Sequence, residues 1–107
     1  NRWSMTMAGA NVRYRKRIRA FDRIKMQTRT VCWDDRFLYI EQCMWNSKNE
    51  CAGHIIYRAA FVGKDGIIDP QRIFDEIELK QQSPKMPEWL RGWVDSEKKR
   101  PWPPMQE

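Results

Sequence analysis

Val31-Cys32-Trp33-Asp34-Asp35-Arg36-Phe37-Leu38-Tyr39-Ile40-Glu41-Gln42 reads as the tip of a β-hairpin and decides the fold class. Asp34-Asp35 is a turn pair, because aspartate tolerates the left-handed backbone and accepts bonds from nearby amides. β-Branched and aromatic residues lie on both sides of it, which suits a pleated, half-buried surface. Upstream, Ile24-Lys25-Met26-Gln27-Thr28-Arg29-Thr30 has apolar residues or threonine at even positions and polar residues at odd ones. That two-residue period marks a sheet with one wet face. Downstream, residues 37–45 alternate less cleanly, as expected of a strand covered in part on both faces.

Working outward, residues 11–18 form a further strand, with Val12 and Tyr14 on one face and Arg13 and Arg15 on the other. Residues 1–10 form a short approach strand or the end of another element. Asp22 turns the chain between residues 19 and 23, and the second and third strands cover 24–33 and 37–45. Asn46-Ser47-Lys48-Asn49-Glu50 is a polar loop of hairpin length. A fourth strand covers residues 51–62 and stops at the turn signal Gly63-Lys64-Asp65-Gly66. The period then changes. Asp69-Pro70 opens a helix over residues 70–79, with Asp69 as cap, Pro70 at its first position and Ile73, Phe74 and Ile77 along one stripe. Pro87 starts a second helix over 87–94, where Trp89, Leu90, Trp93 and Val94 share a face. Residues 97–107 are charged and proline-rich and read as a frayed tail. The expected fold is α+β in one domain, 1–107: an antiparallel meander, then short C-terminal helices. Ile24, Met26, Ile40 and Ile56 are expected on its inner face.

A chain of 107 residues with 41% hydrophobic and 32% charged residues is globular, with a modest core. Its net charge of +6 favours anionic partners such as nucleic acid or phosphate-bearing ligands. No run approaches the roughly 18 apolar residues of a membrane helix. Cys32, Cys43 and Cys51 form no CxxC pair, which points to free thiols in a reducing, cytoplasmic setting. With His54 as the single histidine, the sequence calls for neither a metal nor a cofactor.

Gly9-Ala10-Asn11-Val12-Arg13-Tyr14-Arg15-Lys16, then Phe21, Ile24, Thr28-Arg29, Cys32-Trp33-Asp34 and Phe37-Leu38-Tyr39-Ile40-Glu41 follow one another in an order that resembles the hotdog-fold acyl-CoA thioesterases. The nearest likeness is to the thioesterase-like group related to 4-hydroxybenzoyl-CoA thioesterase, and it extends over about residues 9–94. The resemblance implies a partial hotdog that hydrolyses acyl-CoA thioesters and pairs into a homodimer or higher oligomer. Members of the group carry an N-terminal strand, an acidic loop and a long central helix, and the acid of that loop is the one assigned to catalysis. None of these precedes Gly9 here, so the sequence is expected to be the C-terminal part of such a protein, without the catalytic N-terminal segment.

Thioester hydrolysis needs a group that activates water and donors for the developing oxyanion. Asp22, Asp34 and Asp35 are accounted for by turns. Glu41 is expected to pair across strands with Arg29 or a neighbour. His54 reads as structural and the cysteines as inert, which leaves the catalytic residue unassigned. Arg13, Arg15 and Arg17 project to one strand face at about 6.6 Å spacing. Three planar forks of donors in a row suit the phosphates of coenzyme A. A solvated basic face accounts for the same residues. The alternative function is a non-catalytic module that binds an anionic ligand, coenzyme A or nucleic acid. Tyr14 points away from the arginines, whereas a nucleic-acid surface interleaves stacking aromatics with its charges.

Overall fold

The computed structural model describes residues 3–105. One antiparallel sheet contains β1 (Ser4–Tyr14), β2 (Lys25–Trp33), β3 (Leu38–Trp45), β4 (Cys51–Gly63) and β5 (Gly66–Ile68), and α1 (Pro70–Glu76) and α2 (Glu88–Lys99) follow it. This is the expected α+β order. The turns form for the expected reasons. Asp34 Oδ1 accepts the amides of Arg36 at 2.9 Å and Phe37 at 2.7 Å. Asn46 Oδ1 accepts those of Lys48 at 3.0 Å and Glu50 at 2.9 Å. Gly63-Lys64-Asp65-Gly66 joins β4 to β5, with Gly66 at φ 109°.

β2, β3 and β4 form a meander, but β1 breaks the expected one. The strand order is β1-β4-β3-β2, so β1 pairs with β4 and not with β2. β1 also begins earlier and ends sooner than residues 11–18. β4 offers an edge from Gly53 to Val62, and a strand must reach back to Ser4 to pair it all. Beyond Tyr14 that edge runs out. The Ala52 carbonyl accepts both the Arg15 amide at 2.8 Å and the Lys16 amide at 3.1 Å, and the chain leaves the sheet. Asn1 and Arg2 lie outside the described residues.

The register shifts between Met7 and Gly9, between Thr30 and Cys32, and at the β4 position facing Met44 and Trp45. Each shift is a bulge with one extra residue: Ala8 on β1, Val31 on β2 and Ala52 on β4. An extra residue reverses the faces of everything beyond it. After Val31, Cys32 faces the front of the sheet and Trp33 the back.

One helix covers part of each face. α2 lies on the front, where Leu90 and Val94 pack against Val31, Cys32, Tyr39 and Ile56. α1 lies on the back, where Ile73 packs with Trp33, Leu38, Ala59 and Phe61. Asp69 caps α1 through the Gln71 amide at 2.9 Å. α1 stops short of Leu79 because Glu78 takes φ 61° and the Leu79 amide reaches back to Phe74 O at 2.8 Å, a left-handed closure. α2 extends past Val94, since no breaker occurs before Pro101 and Glu97 is held by Arg58 at 3.8 Å. The first residues read as tail are therefore helix; Gln106 and Glu107 lie outside the described residues. Among the described residues no helix is long and apolar enough to cross a membrane.

The inner face differs from the expected one. Ile40 pairs with Tyr57, so Ile56 looks to the front while Ile40 and Met26 look to the back. The back face beyond α1 is bare: Met5, Met7, Val12, Tyr14 and Met26 are all exposed there. Leu90 is fully buried at the centre of the front cluster. Leu90→Ala is expected to lower unfolding free energy by about 2–5 kcal/mol. Urea unfolding measures this, and an unchanged midpoint would mean that α2 does not hold the sheet.

Candidate functional site

Glu41 is the buried charged residue of the sheet, 8% exposed. The β2–β3 register sets Arg29 directly opposite it, and the guanidinium Nε donates to Glu41 Oε1. The other oxygen, Oε2, lies 2.7 Å from His54 Nε2. His54 is opposite Cys43, the next front-facing residue of β3. Burial pushes the Glu41 carboxyl up, but the bonds from His54 and Arg29 outweigh it and hold the group below the ordinary carboxylate value. Glu41 is therefore an anion at neutral pH. An anionic oxygen accepts, so Nε2 carries the hydrogen, and in the neutral form of the ring the lone pair is on Nδ1.

α2 supplies the opposite wall. Trp89 meets the His54 ring edge-on at 5.6 Å. Leu90 and Trp93 continue the wall over Ile56. Between sheet and helix opens a cleft of about 460 Å³, lined also by Arg13, Arg15, Arg29, Glu41, His54 and Cys51. It has three guanidinium groups, one neutralised carboxylate and an aromatic side, so it can take a ligand with an anionic part and a flat or apolar part. Elsewhere, burial and the nearby Asp34 carboxylate push the Cys32 thiol up to about 11, so this cysteine is not a nucleophile at neutral pH. Cys43 is also raised by burial. Among the described residues no group of three or more His, Cys, Asp and Glu side chains could hold a metal ion.

Of the three arginines singled out, Arg13 and Arg15 line the cleft and Arg17 does not. A single row of three was expected, but β1 ends at Tyr14, so only Arg13 still belongs to the strand. The expected Glu41–Arg29 pair is present. Asp22 accepts the Arg19 amide at 2.6 Å and Asp34 closes its turn, as expected. Sequence reasoning did not bring His54 to Glu41 or Trp89 to the cleft. Counting back from the Asn46–Glu50 loop in strict alternation sets His54 on the face opposite Glu41; the Ala52 bulge reverses this.

The sequence matches the Thioesterase-like superfamily over residues 1–94. It is 30% identical over 93 residues to protein THEM6 of Xenopus laevis, covering 85% of this chain and 43% of that protein. It is 25% identical over 95 residues to protein THEM6 of Drosophila melanogaster, covering 89% and 48%. The chain thus spans less than half the length of these curated relatives. The fold is similar to that of a DHNA-CoA thioesterase from Staphylococcus aureus, with a TM-score of 0.61 and 16% identity over 90% of this chain and 58% of that one. At that identity the likeness is one of fold.

The lowered Glu41 pKa has a signed consequence. The fold favours the anion, so this stabilisation is complete above the ordinary carboxylate value of about 4.3 and is lost as pH falls through the folded value. Glu41→Gln is expected to cost about 1–3 kcal/mol at neutral pH and to flatten the acid limb of stability. Denaturant midpoints from neutral to acid pH test this; an identical slope in both proteins would remove Glu41 as its source.

Proposed function

Because the chain belongs to the thioesterase-like superfamily, with the hotdog fold, we propose that it binds acyl-CoA thioesters for hydrolysis, with the basic rim of the cleft engaging coenzyme A phosphates. The observation that carries this reading is one cleft combining Arg13, Arg15 and Arg29 with the Trp89–Trp93 wall. The basic sequence continues outward from it through Lys16, Arg17 and Arg19. A pantetheine arm keeps the phosphates several strand residues from the thioester. The phosphates therefore belong at the outer end, near Arg15 and Arg17, and the thioester at the inner end. Calorimetric titration with coenzyme A and a panel of acyl-CoA thioesters is the test. Arg15→Ala with Arg17→Ala is expected to weaken binding about tenfold or more. Unchanged affinity would reject the phosphate assignment. Binding of nucleic acid with a steep salt slope, and none of coenzyme A, would replace it with the other anionic partner.

The same reading includes a homo-oligomer in the cytoplasm. β1 and β2 are both edge strands, and the bare back face carries Met5, Met7, Val12, Tyr14 and Met26. Unpaired edges and a contiguous apolar patch favour association. Three free thiols suit a reducing compartment. Sedimentation at micromolar concentration is expected to show a dimer or larger species, and a monodisperse 13.0 kDa particle would contradict it.

A further inference from the structure

We infer that His54, held by Glu41, is the base that activates water for thioester cleavage in this cleft, an inference that rests on the cleft being the thioester site. Glu41 fixes the tautomer: its anionic Oε2, 2.7 Å away, takes the Nε2 hydrogen. Nδ1 then holds the lone pair. It makes no hydrogen bond among the described residues, and it is not among their buried unpartnered atoms, so solvent reaches it. Arg29 occupies the other Glu41 oxygen and stops the carboxylate from turning away. Trp89 closes on the ring from α2. The imidazole is thus oriented from two sides and open on a third, the arrangement a general base needs.

The step balances without a co-reactant. A water proton passes to Nδ1 as the water oxygen bonds to the thioester carbonyl carbon. The C–S bond of the tetrahedral intermediate then breaks, and the leaving sulfur takes the proton back from Nδ1. The products are a carboxylic acid and a thiol. The imidazolium formed in between is stabilised by the Glu41 anion. Arg13 is directly opposite His54 across β1 and β4 and lines the same cleft, where a cation stabilises a developing oxyanion. The charged and titratable groups that line the cleft with the ring are Glu41, Arg29, Arg13, Arg15 and Cys51, and Cys43 is opposite it in register.

Three measurements on the whole chain decide the matter: calorimetric acyl-CoA binding, hydrolysis, and thermal melting of each variant. His54→Gln is expected to melt as the parent does, to bind acyl-CoA with unchanged affinity and to lose kcat by about 10²-fold or more. His54→Ala is expected to recover activity on addition of free imidazole, which a merely structural histidine would not allow. Glu41→Gln acts through His54 as a positioning substitution and is expected to lower kcat with little change in KM. If the chain binds acyl-CoA but His54→Gln hydrolyses it at the parent rate, the inference is wrong while the proposed function stands. Binding without hydrolysis by the parent chain also overturns it. Absence of acyl-CoA binding removes the proposed function itself.

Discussion

The extra residue Ala52 in β4 is the constraint on which both the front core and the cleft depend. Without it, Cys51 opposite Trp45 would put Gly53 and Ile55 on the Glu41 face, and His54 and Ile56 would look to the back. With it, Ile56 packs under α2 and His54 reaches Glu41. The neighbouring Gly53 makes the bulge possible at close quarters. A Cβ there would lie 2.6 Å from Met44 Cε and 3.3 Å from the Arg13 carbonyl oxygen. A side chain at this position would displace the Met44 methyl group and press on the β1 backbone at Arg13.

Glu41 and half-buried Arg58 show two ways of holding charge in a small sheet. Glu41 satisfies both oxygens, one from each neighbouring strand, which keeps a buried carboxylate ionised. Arg58 relies on packing. Its guanidinium lies over the Phe37 ring at 4.3 Å and reaches Glu97 of α2 at 3.8 Å, while its Nε has no partner. A cation–π contact of this kind is worth about 0.5–2 kcal/mol. Arg58 ties α2 to the sheet, whereas Glu41 ties β2, β3 and β4 to one another.

Much of this was legible in the sequence where the cause is local. Asp34 at the hairpin tip and Asp69-Pro70 at the helix start act through their own amides, so their neighbours in the chain suffice to read them. The Glu41–Arg29 pair was expected from two opposite charges on neighbouring strands, but its register comes from the Val31 bulge, without which the turn would set Thr30 opposite Glu41. What failed was non-local. Nothing near β1 states that its partner is β4, and Ala8, Val31 and Ala52 carry no mark of a bulge. A one-residue slip reverses a whole strand, which is why Ile56 was grouped with Ile40 and the contact of His54 with Glu41 went unseen. Arg17 was placed in a row that ends before it because strand length was judged from β1 alone.

The strand order also sets a sequence of events in time. β2, β3 and β4 are joined by two tight turns, so each pairing closes a short loop and can form early. β1 has no such neighbour. Its nearest contact, Tyr14 with Gly53, closes a loop that contains both β2 and β3. Closing so long a loop gains nothing until β4 already presents its edge. β1 therefore docks last, and Arg13 and Arg15 come with it. The cleft gains two of its three arginines only when β1 pairs, and loses them when β1 peels away.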